Sequence, residues 1–496
     1  MKKLIRRVTS MILVASLIAG LGTMNAFAAT YNATIQQGNT PDVMDCVEIF
    51  DGLKSVPSGN TYIIDNFGWQ RNVSTNSPIH LAQCATPSEF ASSGKYDFMY
   101  WSGHGGSGPL RLNVNASRTY GSYTTFDVAN TLNVNNSNWA STSAWNKSSP
   151  LKVAIIAACY SLDNTYNDCK YWARAMRASN LRVVAGYHIS SPTDPYDTKI
   201  AHAFFSNSIN GGVKGGESVR SSWQTANEMY SQNAAWAVMC YKENGNQYYR
   251  IPGFPGKTYS APSSNATIYR FWNQYKDPES SGQIITPNSV ATNPLPLELK
   301  ATTGLHIANP AGITAASLEN DSQLISVREL EDSPITDESA QKALAEEFLH
   351  NNISLSAQKS IDSAIKTVGT ITCEEIDEEI GLVEGSQVEV GKTYCYNNQY
   401  NGVKVFNNFL KIGTDSSGIY FIINKWSDMA PTGTQTTQNV QSRPYAKLAS
   451  DVDDETALIY VPVGNNTYRL AYEVLNEDDQ PTYYDWETLD EIEIIL

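Results

Sequence analysis

Two apolar runs dominate the hydrophobic pattern, and each stops at a reactive side chain. The first is Asp97-Phe98-Met99-Tyr100-Trp101-Ser102-Gly103-His104-Gly105-Gly106. The second is Lys152-Val153-Ala154-Ile155-Ile156-Ala157-Ala158-Cys159-Tyr160-Ser161. An unbroken apolar run of this length, bounded by turn residues, suits a strand buried on both faces. Thr61-Tyr62-Ile63-Ile64, Arg182–Tyr187 and Trp236–Tyr241 read as further strands. Helical spacing runs through Val43, Cys46, Val47, Phe50 and Leu53, behind a Thr40-Pro41-Asp42 start, and recurs at Tyr171–Met176, near 198–209 and near 216–232. Strands alternating with helices predict an α/β fold with a mostly parallel sheet and helices on both faces.

The pattern changes after residue 245. Residues 245–300 are rich in Pro, Gly, Ser and Asn and read as a tail or linker. Beyond them a helix is predicted with Thr336 as cap and Ala340, Leu344 and Phe348 as its apolar stripe. An Asp415-Ser416-Ser417-Gly418 turn joins a strand ending near Ile412 to Ile419–Ile423, and strands recur at Ala457–Pro462 and Tyr468–Val474. The chain therefore divides into residues 30–260, a linker with irregular strands at 261–318, and an α+β unit at 319–496. A polar stretch from Asn113 to Ser149 interrupts the first unit. It reads as crossover plus loop, with Trp139 and Trp145 as anchors.

Charge supports the same division. The net charge of −15 arises almost wholly from 301–496, where acids far outnumber bases, while 30–300 is nearly balanced. An acidic second unit is expected either to aid solubility or to pack against and mask the first, in which case removing it raises activity. With no basic patch, nothing points to nucleic acid as a partner. Lys2, Lys3, Arg6 and Arg7, the apolar Met11–Leu21 and Ala26-Phe27-Ala28 together read as a secretory signal peptide over residues 1–28. No later stretch is long and apolar enough to span a bilayer. Export permits disulfides among the seven cysteines; the odd number leaves one thiol over, and Cys373 with Cys395 is the pairing that falls within the second unit.

The chemistry follows from where the two runs end. Neighbouring parallel strands deliver the groups at their carboxyl ends to one crevice. A thiol and an imidazole brought together there make a nucleophile and its proton carrier, so Cys159 and His104 are the candidate catalytic pair. Glycines beside His104 allow a backbone N–H close to a substrate carbonyl, which makes Gly105 and Cys159 the candidate oxyanion donors. His188, after the next strand, is an alternative base. Asp163 and Asp194, on loops at the same edge, are candidate substrate-binding residues for a basic side chain, as are Asp168 and Asp197; turn or capping roles compete for each. No cofactor is required by this chemistry. Calcium on these aspartates is conceivable, although no EF-hand pattern occurs.

An apolar strand ending in Ser102-Gly103-His104-Gly105 and a second ending in Ala158-Cys159, 55 residues from His104, resembles the caspase, gingipain, clostripain and legumain superfamily of cysteine peptidases. The resemblance implies a caspase-like three-layer α/β sandwich, Cys159 as nucleophile, His104 as partner, Gly105 in the oxyanion hole and a peptide or protein substrate. It implies an endopeptidase and leaves the secreted bacterial branches open. One departure is that Tyr160-Ser161-Leu162 follow the Ala-Cys pair where caspases soon have a glycine, which speaks against aspartate specificity. Tyr400–Phe406 with its strand pair and the later Tyr468–Tyr472 look like the propeptide-type FTP and PepSY domains of secreted metallopeptidases, which implies a partner role for the acidic unit toward the first. The His-Glu-x-x-His zinc motif is absent. The alternatives are a transpeptidase using the same thioester and a catalytically inactive cell-surface binding module that keeps the fold.

Overall fold

The computed structural model describes residues 29–38, 44–57, 59–71, 78–80, 85–105, 109–112, 124–127, 145–163, 168–192, 195–206, 212–230, 235–241, 249–255, 266–276, 295–305, 307, 315–317, 323–326, 328–353, 355–433, 436, 457–475 and 481–494. Residues 1–28, read as a signal peptide, and the Thr40-Pro41-Asp42 helix start, Cys84, Trp139 and Asp194 lie outside them.

The apolar runs form the centre of a parallel block. Its order is β2 (Thr61–Phe67), β1 (Thr30–Gln37), β3 (Phe98–Ser102), β4 (Val153–Ala157) and β5 (Val183–Tyr187). Alternate residues of each strand feed opposite faces, as the two-residue period requires. Phe98, Tyr100, Val153, Ile155, Val183 and Ala185 pack in one core with Cys46, Ile49 and Leu53 of α1 (Met44–Lys54), Phe204 and Phe205 of α3 (Tyr196–Ser206) and Trp223 of α4 (Val219–Tyr230). Met99, Trp101, Ala154, Ile156 and Val184 pack in the other with Trp172, Ala173 and Met176 of α2 (Asp168–Ala178). Three layers result. Trp145 is an anchor as read: it stacks on Phe90 at 6.2 Å and its indole N–H donates to the Ala91 carbonyl at 2.9 Å.

Beyond β5 the direction alternates. β6 (Trp236–Tyr241) is antiparallel to β5, and β7 (Ile268–Lys276) is antiparallel to β6. β7 lies within the stretch read as tail or linker. Its own residues, Ile-Tyr-Arg-Phe-Trp-Asn-Gln-Tyr-Lys, are aromatic-rich and suit a pleated, half-buried surface. The other edge of β7 pairs over nine rungs with β8 (Ile365–Asp377), from Ile268 opposite Ile376 to Lys276 opposite Val368. The sheet then continues through β9 (Val388–Tyr400), β10 (Val403–Asp415) and β11 (Gly418–Asn424), all antiparallel. β12 (Ala457–Gly464) joins β10, and β13 (Thr467–Leu475) and β14 (Pro481–Asp485) follow as a meander. Both halves of the chain thus share one continuous hydrogen-bonded sheet.

Side chains reinforce the junction. Glu228 of α4 and Lys411 of β10, both fully buried, form an ion pair at 3.0 Å. Glu228 also accepts from Asn273 at 3.0 Å, Trp236 at 2.9 Å and Tyr275, so its lone pairs are satisfied away from water. Arg270 of β7 pairs with Glu374 of β8 at 2.5 Å, also buried.

Two expectations for the second half change. In α5 (Glu338–Asn352) the cap is Asp337, whose carboxylate accepts from the Ala340 N–H at 2.9 Å, and the buried positions are Gln341, Ala345, Phe348 and Leu349 rather than Ala340 and Leu344. The stripe is turned by one residue because the helix docks on Tyr394, Leu410 and Ile412 through Ala345 and Leu349. Cys373 and Cys395 are free thiols. They lie on paired strands, but Cys373 faces Val388 and Cys395 faces Thr367, which separates them by six rungs, about 20 Å. Among the described residues all six cysteines are free, Cys159 and Cys169 included.

Candidate active site

The site begins with a register. In the parallel pair β3–β4, Ser102 stands opposite Ala157, so His104 and Cys159 each lie two residues past a matched rung. The two chains leave the sheet about 4.8 Å apart, at the carboxyl ends of the strands. Gly105 then folds back over the Cys159 peptide. A Cβ placed on Gly105 would meet the Cys159 carbonyl oxygen at 2.3 Å, the Ala158 Cβ at 2.9 Å and the Cys159 nitrogen at 3.2 Å. Only glycine fits there, and its backbone is held against that of Cys159. His104 and Gly105 are half-buried, as is Cys159.

A tight turn presents the thiol. Tyr160 has φ 56°, a left-handed conformation that is costly for a side chain of its size and free for glycine. The strain is held by bonds to the next strand. The Tyr160 N–H donates to the Ile189 carbonyl and the Leu162 N–H to the Tyr187 carbonyl, each at 2.8 Å. Ser161 Oγ donates to the Ile156 carbonyl at 3.0 Å and accepts from the Tyr187 N–H at 3.1 Å. This chain therefore bends through a tyrosine, in a turn held by four hydrogen bonds of which one comes from the Tyr160 N–H.

The residue touching the sulfur is one the sequence reading did not single out. The Ser191 N–H donates to Cys159 Sγ at 3.3 Å, and Ser191 Oγ lies 3.4 Å from it. Ser191 sits four residues past β5, the neighbour of β4, on the same rim; that position was the available signal. Asp45, fully buried at the start of α1, is a second residue that the sequence did not point to. It accepts from Tyr100 at 2.7 Å, from the Cys46 N–H at 2.6 Å and from Ser102. Burial raises its carboxyl, while those donors oppose the rise. Through Ser102 it secures the end of β3 just before His104.

His188, the alternative base, is placed elsewhere. It is buried, its Nε2 is 2.5 Å from the Asn273 carbonyl, and its ring meets Trp272 edge-on at 5.0 Å. Burial, then the Arg270 charge, lowers it to about 4, against the opposing pull of the Asn273 carbonyl and Asp163. It is a satisfied neutral core histidine at neutral pH. Asp163 is half-buried in the turn that follows Cys159, its N–H donating to the Tyr160 carbonyl at 3.2 Å. Asp197 lies in the first turn of α3. Among the described residues no group of three or more His, Cys, Asp or Glu side chains is arranged to hold a metal ion. No described helix is long and apolar enough to cross a membrane.

No protein-family model matches the chain. No curated protein matches it in sequence. Among solved structures it is similar to a secreted C11 cysteine protease from Bacteroides thetaiotaomicron, iotapain, with 12% identity and a TM-score of 0.26. The likeness covers 43% of this chain and 66% of that one.

Proposed function

We propose that the protein is an exported, caspase-like cysteine endopeptidase acting on peptide or protein substrates. The observation that carries this reading is the closure of Gly105 on the Cys159 peptide at the common end of β3 and β4. In the proposed reaction the Cys159 sulfur attacks the scissile carbonyl and His104 takes the thiol proton. The N–H groups of Gly105 and Cys159 receive the charge that develops on oxygen. His104 then protonates the leaving amine, and water, deprotonated by the same imidazole, hydrolyses the thioester. Asp163 is the described acid nearest the nucleophile along the chain and is assigned, with Asp194, to a basic substrate side chain. The acidic C-terminal half, whose sequence resembles propeptide-type domains, supports this site from a fixed position rather than acting as a removable inhibitor, because it is paired to β7 along nine rungs.

Replacing Cys159 with Ala is expected to abolish hydrolysis of a fluorogenic peptide library; undiminished turnover would remove Cys159 as nucleophile. Iodoacetamide labelling supplies an independent reading. The other five described thiols are buried, and burial raises Cys240 to about 12, so labelling of the folded protein should concentrate on Cys159. Transfer of the acyl group to an added amine in place of water would instead mark a transpeptidase.

A further inference from the structure

A groove of about 330 Å³ is lined by Trp272, Gln274, Thr370, Thr372, Gln387 and Glu389, and the Trp272 ring meets His188 at 5.0 Å. Its walls come from three adjacent strands. Trp272 pairs with Thr372, which pairs with Glu389, and Gln274 pairs with Thr370. Residues two apart share a face, so these side chains rise together from the sheet. The lining is unusual in holding one indole and otherwise only amides, hydroxyls and a carboxylate.

The charges in it are already countered. Glu389 is bonded to Lys392 at 2.7 Å, and the Arg270 guanidinium lies over the Trp272 ring at 5.2 Å. Lys392 also donates to Thr370 Oγ1 at 3.1 Å, so what remains is neutral hydrogen-bonding capacity on Gln274, Gln387 and Thr372 beside an aromatic wall. The Trp272 indole N–H has no hydrogen-bond partner. A volume at the low end of ligand pockets suits one side chain rather than a whole small molecule.

Its position relates it to the thiol. Tyr187, at the end of β5, stands opposite Trp236, and Ala237 of the same strand stands opposite Trp272. The groove therefore lies at the rim where Cys159 emerges, with β5 and β6 between. Three strand spacings amount to about 14 Å, and an extended peptide advances about 3.3 Å per residue. We propose that this groove is a remote substrate subsite that takes an uncharged, hydrogen-bonding side chain, amide or hydroxyl, about four residues from the cleaved bond. The proposal rests on Cys159 being the nucleophile.

The test uses the full-length protein and internally quenched peptides randomised at five positions on each side of the cut. One position about four residues away should favour Gln, Asn, Ser or Thr over Leu, Lys and Glu. In the double variant Gln274→Ala/Gln387→Ala, whose altered side chains are exposed, the ratio of kcat/KM for Gln over Ala at that position should fall about threefold to tenfold, as for one or two neutral hydrogen bonds lost. Cleavage without any preference at that spacing, or a preference the double variant leaves intact, overturns the subsite and leaves the proposed peptidase standing. No cleavage together with an unreactive Cys159 overturns both.

Discussion

Replacing Gly105 with Ala puts the active-site geometry to the most direct test. The added methyl would sit 2.3 Å from the Cys159 carbonyl oxygen, more than 1 Å inside an ordinary contact. That oxygen belongs to the nucleophile's own peptide and cannot swing aside as a flexible side chain would. The Ala158 Cβ at 2.9 Å blocks a second direction. Relief must come from moving the Gly105 strand or Cys159 by roughly 1 Å, and such a misplacement costs about 100-fold in rate, near 2.7 kcal/mol of activation free energy. The crowding lies at the rim, so folding should lose no more than the ~1–3 kcal/mol typical of overpacking. The assay pairs kcat/KM on a fluorogenic peptide with urea unfolding of the same preparation. A folded G105A protein with full turnover would refute both the oxyanion role and the claim that this backbone contact sets the chemistry.

Three further outcomes are expected. Ser191→Ala removes a hydroxyl from the Cys159 sulfur but keeps the backbone donor, so iodoacetamide alkylation at pH 7 should slow about threefold to tenfold, as for one hydrogen bond, and Ser191→Thr should restore it. For His188, a folded value of about 4 against an unfolded ~6.5 means that the unfolded chain binds a proton the folded chain refuses. Stability should therefore fall as pH drops from about 6.5 to about 4, by about 3 kcal/mol in all, and His188→Gln should flatten that slope in urea midpoints compared at pH 7 and pH 5. Removal of 301–496 should cost soluble, folded protein rather than raise activity, because β7 would become an open edge of nine rungs and Glu228 would lose Lys411; a soluble 29–300 fragment more active than the full chain would reverse this conclusion.

The legible parts of the chain were those whose burial leaves a local mark. β3 and β4 are buried on both faces and read as unbroken apolar runs, and their ends could be named to the residue because turn chemistry follows at once. The carboxyl-end rule then placed His104 and Cys159 at one rim. β7 was missed because the Pro-, Gly- and Asn-rich chain around it lowered the average over the window, although its aromatic residues carried a strand signal. Glu228 with Lys411, and Cys159 with Ser191, are tertiary pairs with no sequence spacing to betray them. The α5 stripe failed by one position because a helix with three apolar candidates on a broad face is oriented by what it docks on.

The joining of the halves bears on how the site is held. Tyr196, the first residue of α3, packs against Phe406 at 5.7 Å, and Phe406 packs in turn against Tyr483 at 5.5 Å. Five residues before Tyr196 lies Ser191, with its N–H on the Cys159 sulfur. Ser191 is thus bonded to the Cys159 sulfur, and Tyr196 is packed on the acidic half. Loops have the freedom to misplace what they carry, and this one carries a donor to the Cys159 sulfur. Aromatic contacts tie the start of α3 to a strand system continuous with β4. Fusing the two halves through β7 and β8 does the same for Trp272, which lines the polar groove, and for His188, which bonds to the Asn273 carbonyl and packs on the Trp272 ring. A chain that merely stored its second half as a detachable inhibitor would have no need to bury an ion pair and nine rungs of backbone pairing at the seam.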